Sequence, residues 1–200
     1  MTPEHFEHPP AEPLTWLREW LEGARELGLN EPTAMNLATV GADGRPSSRI
    51  VLYKAIGPEH IEFYTNYESR KGQDIASHEA GALCFFWDAQ LRQIRIEGPL
   101  SRLSAQASDA YFASRDRGSQ IGAWASQQSR PINSRADMEQ AYAEIEARFA
   151  GQNVPRPAHW GGYALKIEAI EFWQGRPNRF HDRLVYQRES DGWRITRLQP

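Results

Sequence analysis

The spacing of apolar residues predicts the helices of this chain. Between residues 14 and 27, leucine or alanine recurs every three or four positions, which indicates an amphipathic helix ending near Gly28. A second helix is predicted from Ser134 to Gly151. Its inner face is formed by Met138, Tyr142, Ile145 and Phe149. A shorter helix is expected over residues 105–113.

Between these helices, apolar and polar residues alternate, which is the pattern of half-buried strands. The predicted strands cover residues 35–40, 47–54, 61–65, 82–87, 93–103, 163–167, 180–187 and 193–198. Asp191 and Gly192 lie in the loop of a hairpin between the last two strands. The mixture predicts an α+β fold in which a mainly antiparallel sheet closes into a barrel, with helices packed outside it.

Composition limits the classes of function. The 200 residues suit one compact domain, and the formal net charge of −3 argues against a general nucleic-acid binder. Residues 1–12, rich in Pro, His and Glu, do not resemble a signal peptide and are expected to form a flexible arm before a single domain over 13–200. No apolar stretch is long enough for a membrane span, so a cytoplasmic protein is expected. The lone Cys84 is interpreted as buried packing.

Residues 179–183, Arg-Phe-His-Asp-Arg, are the most informative segment. On a strand, Arg179, His181 and Arg183 would project from one face, and such a set needs water or an anion rather than an apolar core. Upstream, residues 170–175 supply a strand end, aromatic surface and a turn. The combination predicts a pocket for a flat, negatively charged ligand.

Three further clusters are candidates for a binding site, and two of them, at residues 69–71 and 111–119, can bind phosphate, although each of the three could also be solvated surface. Ser69 can cap a helix running to about His78, and Arg70 and Lys71 would then face an anion at its first turn.

Tyr111 and Arg115 share a helix face, with Ser119 in the loop that follows. Arg49 and Lys54 flank a predicted strand. Being five residues apart, they point to opposite sides of it unless a bulge or strand end intervenes.

Several common signatures are missing from the sequence. It has no Gly-x-Gly-x-x-Gly motif, no Walker loop and no nucleophile elbow, and its histidines lack the spacing of metal ligands. Hydrolase and metalloenzyme functions therefore have no positive support, and no metal site is expected.

Taken together, the chain from about Pro13 to Pro200 resembles the pyridoxamine (pyridoxine) 5′-phosphate oxidases. The segments that carry the resemblance are 49–54 (RIVLYK), 63–66 (FYTN), 69–71 (SRK), 119–124 (SQIGAW), 127–129 (QQS), 171–175 (EFWQG), 179–183 (RFHDR) and 197–200 (RLQP). The resemblance implies a split β-barrel that works as a homodimer, with two FMN molecules at the subunit interface.

The resemblance also implies roles for individual residues. FMN would be bound by Arg49, Ile50, Val51, Leu52, Tyr53, Lys54, Tyr64, Thr65, Arg70, Lys71, Gln93, Gln128, Ser129, Trp173 and Arg183. The substrate would be bound by Lys54, Tyr111, Arg115, Ser119, Arg179, Phe180 and His181. Arg179 and His181 would be catalytic, beside the reacting carbon. The implied reaction is the oxidation of pyridoxamine or pyridoxine 5′-phosphate by dioxygen in vitamin B6 salvage or biosynthesis.

The sequence departs from the family pattern in three places. Phe180 replaces the usual leucine, Tyr53 stands where an aliphatic residue is common, and residues 1–12 lack the Arg and Tyr that help to close over substrate. The alternatives are a sibling flavoenzyme with another substrate, such as the phenazine-pathway oxidases, a non-catalytic carrier of flavin or pyridoxal phosphate, and a structural dimerisation module.

Overall fold

The computed structural model describes residues 4–200, with side chains from Phe6 onward. The helices are α1 (Glu4–Glu7), α2 (Pro13–Arg25), α3 (Arg70–Ser77), α4 (Ala105–Ser114), α5 (Arg117–Ala125) and α6 (Arg135–Arg148). The strands are β1 (Ala34–Val40), β2 (Pro46–Leu52), β3 (Ala55–Ile56), β4 (His60–Asn66), β5 (Ala80–Trp87), β6 (Arg92–Arg102), β7 (Trp160–Lys166), β8 (Ala169–Gln174), β9 (Asp182–Glu189) and β10 (Gly192–Arg197).

One antiparallel sheet curls into a barrel that is incompletely closed. Its order is β2-β1-β5-β6-β7-β4, and β2 returns to lie beside β4. In the described part of the chain no ladder joins β2 to β4. The seam is bridged where the Lys54 N–H donates to the Glu62 carbonyl at 2.8 Å and where β3 pairs with β4. The expected antiparallel split barrel is confirmed.

Strand β6 belongs to two ladders. Residues 92–97 pair with β8, from which β9 and β10 extend the sheet, whereas residues 100–102 pair with β7 of the barrel. The change of partner falls at Gly98, where an added Cβ would lie 1.8 Å from the Lys166 carbonyl oxygen. Only glycine permits so close a backbone approach in a strand.

The main core lies between the sheet and α2. This helix buries Trp16, Leu17, Trp20, Leu21 and Ala24. The ring of Phe172 on β8 meets Trp16 and Trp20 edge-to-face, each at a centroid distance of 5.3 Å. Burying each large side chain of this kind contributes roughly 1.5–3 kcal/mol. A second, smaller cluster beneath α4, α5 and α6 contains Phe112, Ile121, Phe149, Val154 and Trp160.

The described part of the N-terminal segment packs against the domain, which differs from the flexible arm expected over residues 1–12. Phe6 is buried 5.3 Å from the Trp16 ring, and its carbonyl accepts a hydrogen bond from Arg197 at 2.6 Å. Tyr186 donates to the Pro10 carbonyl at 2.9 Å. An aromatic anchor at position 6 thus outweighs the polar composition around it. Residues 1–3 lie outside the described residues.

Three other expectations were wrong. Residues 117–125 form a helix rather than a loop, because Asp116 caps it by accepting a hydrogen bond from the Ser119 N–H at 2.8 Å. Met138 is 53 % exposed instead of lying on the inner face of α6. Cys84 is only partly buried.

The strand expected from Phe180 begins only at Asp182. A single 3₁₀ turn covers Pro177–Arg179, with Asn178 and Arg179 at φ 58° and 63°. Arg179, His181 and Arg183 therefore do not share one strand face as expected. None of the helices within residues 4–200 is long and apolar enough to cross a membrane.

Candidate functional site

The start of α3 forms a polar cradle against β4. The buried Ser69 caps the helix by accepting a hydrogen bond from the Gly72 N–H. At Gly72 an added Cβ would lie 2.0 Å from the Tyr67 carbonyl oxygen, so the close approach of the first turn of α3 to that carbonyl requires glycine. From the same first turn, the Lys71 side chain extends to Thr65 on β4.

Lys71 is held inside this cradle by neutral oxygen atoms. Its Nζ lies 2.7 Å from Gln128 Oε1 and 3.3 Å from Thr65 Oγ1. Burial, with a smaller contribution from the nearby Arg49 charge, lowers the pKa of Lys71 to about 8. An anion bound here would favour the charged ammonium and reverse that shift. The geometry suits a phosphate group.

Arg49 occupies the edge of the same region from β2. Its guanidinium donates to Thr39 Oγ1 at 2.6 Å and Ser47 Oγ at 2.8 Å, and it lies 3.5 Å from the buried Asp74 carboxylate. Burial lowers the pKa of Arg49 despite that carboxylate. Arg70, at the first turn of α3, is exposed.

A cavity of about 240 Å³ adjoins this cradle. It is lined by Asn66, Arg115, Ser119, Gly122, Ala123, Ser126, Gln128 and Trp160. The Arg115 guanidinium carbon lies 4.6 Å from the Trp160 ring centroid, and its buried Nη1 has no hydrogen-bond partner among the described residues. Burial lowers the pKa of Arg115. A buried cationic N–H without a partner is costly, and an anionic ligand would satisfy it.

Tyr64 and Tyr111 stack beside this cavity with ring centroids 3.9 Å apart, and both lie nearly parallel to Trp160. Burial, with the Glu62 carboxylate next in importance, raises the pKa of Tyr64 to about 12. The Tyr64 hydroxyl stays protonated at neutral pH and donates its hydrogen to Glu62 Oε2 at 3.4 Å.

A third group of predicted site residues lies on the opposite face of the sheet. Gln93, Trp173 and Arg183 are direct cross-strand neighbours on β6, β8 and β9. Arg183 makes a two-point ion pair with Glu171, with distances of 2.8 and 3.2 Å. The His181 ring centroid lies 4.7 Å from that of Trp173.

The predicted ligand-binding residues therefore form two separate patches in one chain. The Lys71 cradle and the adjoining Arg115 cavity make up the first patch, and the group around Trp173 makes up the second. Arg49 projects from the core side of the sheet, whereas Trp173 projects from the other side, four strand steps away. At the usual strand spacing this is about 19 Å along the sheet. The second face also exposes Ile50 and Phe86, at 64 % and 57 %. A face that exposes large apolar side chains among polar ones is typical of a surface that a second chain covers.

Comparison with known proteins shows which protein family has this arrangement. Residues 21–149 match the family described as pyridoxamine 5′-phosphate oxidase, and residues 160–200 match the pyridoxine 5′-phosphate oxidase C-terminal dimerisation region. The chain belongs to the pyridoxamine 5′-phosphate oxidase family. The dimerisation region covers β7 to β10, which includes Trp173 and Arg183.

Two curated oxidases illustrate the similarity. The pyridoxine/pyridoxamine 5′-phosphate oxidase of Rubrobacter xylanophilus is 53 % identical over 94 % of this chain and 87 % of that protein. The protein of the same name from Burkholderia cenocepacia is also 53 % identical, over 94 % of this chain and 89 % of its own length.

Among solved structures, PhzG from Burkholderia lata 383, in complex with tetrahydrophenazine-1-carboxylic acid, aligns with a TM-score of 0.93. It is 33 % identical over 100 % of this chain and 98 % of that chain. A pyridoxamine 5′-phosphate oxidase-related, FMN binding protein from Nostoc punctiforme aligns with a TM-score of 0.73 at 17 % identity, over 93 % of this chain and 96 % of that chain, and shares the fold.

Several of the predicted site residues of this chain lie apart from both patches. Lys54 is exposed and lines a groove of about 670 Å³ between α2 and the β2–β3 connection, not the cavity of Arg115. Tyr53 is buried against Phe85, and Phe180 is 80 % exposed. Ser129 follows Gln128 with φ at 72°. Val51 and Leu52 are partly buried at the end of β2.

Sequence reasoning did not identify four residues that organise the patches. Asp74 pairs with Arg49, Glu171 pairs with Arg183, Trp160 forms the floor under Arg115, and Asp116 caps the helix that carries Ser119. Glu171 has a sequence signal, since it occupies the outward position of β8 two residues before Trp173. Asp74 has none, because its partner is 25 residues away on another element.

Proposed function

We propose that this chain is an FMN-dependent oxidase that converts pyridoxamine 5′-phosphate and pyridoxine 5′-phosphate to pyridoxal 5′-phosphate. Dioxygen is the electron acceptor and becomes hydrogen peroxide, and the amine substrate also releases ammonia. Membership of the family and the 53 % identical oxidases support this reaction. This oxidation to pyridoxal 5′-phosphate would contribute to vitamin B6 salvage or biosynthesis.

FMN is the cofactor that goes with this family. The donor set fits its phosphate, because Lys71, Arg49 and the first turn of α3 gather positive charge around a small polar cradle. Arg70, Thr65, Gln128 and Ser129 complete this half of the site. When bound, FMN supplies the hydride acceptor and the reactivity toward dioxygen.

The other half of the FMN site is proposed to come from a second copy of the chain. Gln93, Trp173 and Arg183 lie on the sheet face that belongs to the dimerisation region or adjoins it. In a symmetric homodimer this face would meet the Lys71 cradle of the partner twice, giving two equivalent sites. Ile50, which is exposed on the outer face of β2, would border the ring system.

The observation that carries the proposal is the Arg115 cavity. The half-buried Arg115, one of whose nitrogens lacks a partner among the described residues, and the Ser119 hydroxyl line this cavity, and the Tyr111 ring stacks on its Trp160 wall; all three are suited to binding the phosphate of a substrate. Anchoring the phosphate there orients the pyridine ring, and Arg179 and His181 of the partner would then adjoin the reacting carbon. These residues would bind and orient the substrate, while the stacked Tyr64 and Tyr111 rings would limit the access of water to it.

An oxygen-electrode assay tests this function. The FMN-loaded protein should consume dioxygen with pyridoxamine 5′-phosphate and with pyridoxine 5′-phosphate, and should do so far more slowly with unphosphorylated pyridoxamine. Equal rates with and without the phosphate group would contradict the assignment of the Arg115 cavity. No dioxygen consumption with either phosphate ester would contradict the function itself.

A second candidate is a flavoenzyme acting on a phosphate-free aromatic acid. The TM-score of 0.93 to PhzG over the whole chain favours it. The half-buried Arg115, with one buried nitrogen that has no hydrogen-bond partner among the described residues, favours the phosphorylated substrate instead, because a phosphate offers that nitrogen a charged acceptor. Anaerobic bleaching of the flavin by each class of substrate, side by side, separates the two.

A further inference from the structure

The connection between β8 and β9 holds His181 by one specific hydrogen bond. The backbone N–H of Arg176 donates to His181 Nδ1 at 3.1 Å. The side chain of the same arginine bonds to the next residue, with Arg176 Nε 2.7 Å from Asp182 Oδ2. Arg176 therefore contacts His181 through its backbone and Asp182 through its side chain.

This hydrogen bond determines which nitrogen of His181 carries a proton. A backbone N–H can only donate, so Nδ1 must present its lone pair, and the neutral ring then carries its hydrogen on Nε2. Adding a proton at Nδ1 would set one donor against another and break the contact. In this arrangement Nε2–H is a hydrogen-bond donor and has no lone pair to accept a proton.

The loop needs a second support because its backbone is strained. Asn178 and Arg179 both have positive φ, at 58° and 63°. Asparagine adopts this region with little strain, but for a residue such as Arg179 it costs about 1–2 kcal/mol. The Arg176–Asp182 ion pair closes the base of this loop, with both side chains only about one-fifth exposed.

Asp182 is itself tied to the rest of the fold. Its Oδ1 lies 3.3 Å from Arg197 Nη1, and the same guanidinium contacts Glu7 at 2.9 Å. The carboxylate of Asp182 thus anchors the loop to β10 and to the N-terminal segment. Trp173 supports the other side of the His181 ring at a centroid distance of 4.7 Å.

We propose that Arg176 and Asp182 are positioning residues that hold His181 as the neutral Nε2–H tautomer, so that it acts as a hydrogen-bond donor to the bound ring and not as a proton acceptor. The inference deepens the proposed function and rests on it for the role of the ring. The tautomer itself depends only on the geometry of this loop.

The tautomer can be read directly by nuclear magnetic resonance. In the FMN-loaded protein with ¹⁵N-labelled histidine, long-range ¹H–¹⁵N correlation should show His181 with Nε2 protonated and Nδ1 not, the signal being assigned by its loss in His181→Asn. A protonated Nδ1, whether in the other tautomer or in an imidazolium ring, would overturn the proposal. This measurement stands even if neither vitamin B6 phosphate is a substrate.

Variants at the ion pair test the positioning role. Asp182→Asn and Arg176→Ala should lower kcat with pyridoxamine 5′-phosphate by about tenfold, the scale usual for residues that orient a functional group, with KM changed much less. Both should show mixed His181 tautomers, and Arg176→Lys should restore most of kcat.

Arg194→Ala is the matched control, because it removes an exposed arginine–glutamate pair at the far end of the same hairpin. It should leave kcat and the tautomer unchanged. If Asp182→Asn folds and keeps both kcat and a single Nε2–H tautomer, the positioning role is wrong. Arg176→Ala provides the same test by the other partner of the pair.

Discussion

Lys71 and Gln128 are 57 residues apart in the sequence, yet the Lys71 ammonium lies 2.7 Å from the Gln128 side-chain oxygen. The contact joins α3 to the loop after α5 and places a cation between the two. We expect Lys71→Met to weaken FMN binding by about 10- to 100-fold, since hydrogen bonds to charged groups are worth about 1.5–3 kcal/mol. Fluorescence titration of the apoprotein with FMN measures this. Lys166→Met, which removes an exposed lysine at the end of β7, should bind FMN normally.

The affinity for FMN should depend on pH through Lys71. Its pKa is about 8 in the free protein, below the ordinary value of 10.5, so Lys71 is half deprotonated at pH 8 and mostly neutral one unit higher. A bound phosphate favours the charged form, and binding well above pH 8 must therefore take up a proton. The affinity should begin to fall between pH 7 and 8, decrease by up to about tenfold for each pH unit well above 8, and depend little on Lys71 below about pH 7. The Lys71→Met variant should lack this added slope, and an identical slope in both proteins would contradict the assignment.

Arg115→Ala should raise KM for pyridoxamine 5′-phosphate more than it lowers kcat. The phosphate is remote from the reacting carbon, so its contact with Arg115 should have similar strength in the ground and transition states. A rise in KM of about 10- to 100-fold is expected for loss of a charged hydrogen bond. Steady-state kinetics decide the point, and equal decreases in kcat and kcat/KM would contradict the anchoring role.

Gly72→Ala should destabilise the protein and loosen FMN binding together. The new Cβ would lie 2.0 Å from the Tyr67 carbonyl oxygen, so either the turn or α3 must shift, at a cost of about 1–3 kcal/mol. Urea denaturation of the apoprotein measures this cost. Gly23→Ala is the matched control within α2, where nothing lies within 4 Å of the added methyl group. That change should stabilise by about 0.5–1 kcal/mol.

Complementation between two inactive variants tests whether each site spans two chains. Lys71→Met weakens one proposed half-site and Arg179→Ala disables the other, so each homodimer should be nearly inactive at an FMN concentration that fills the wild-type sites but not those of Lys71→Met. After denaturation and refolding together, half of the dimers should be mixed, each with one intact site, giving about a quarter of wild-type activity. Activity that stays at the level of the separate variants would show that both halves come from the same chain.

The barrel could be predicted from the sequence because its signals are local. The alternation in residues 35–40 and 61–65 and the Ser69 cap each correspond to an observed element. The helix over Arg117–Ala125 was missed because Gly118 and Gly122 weaken its pattern and the Asp116 cap was not recognised. The turn at Pro177–Arg179 was missed because the alternation of Arg179, His181 and Arg183 resembles that of a strand.

The candidate site was less predictable because its contacts join distant segments. The clusters at Lys71 and at Arg115 were recognised as phosphate-binding candidates, but only the fold places Gln128 between them. The separation of Trp173 from Arg49 depends on the order of strands, which alternation alone does not specify. Ion-pair partners such as Asp74 could not be predicted either, since no sequence pattern identifies a partner on a distant element.

Gly98 has a consequence for the whole molecule. Because β6 changes partner where the chain has no side chain, barrel strand β7, which pairs with the strand of Thr65, and outer strand β8, which carries Trp173, diverge at this backbone crossing. A methyl group at this crossing would tilt one set of strands against the other. The distance between the two binding surfaces would then change without any ligand-contacting residue being altered. The absence of a side chain at position 98 therefore determines how far apart these surfaces lie.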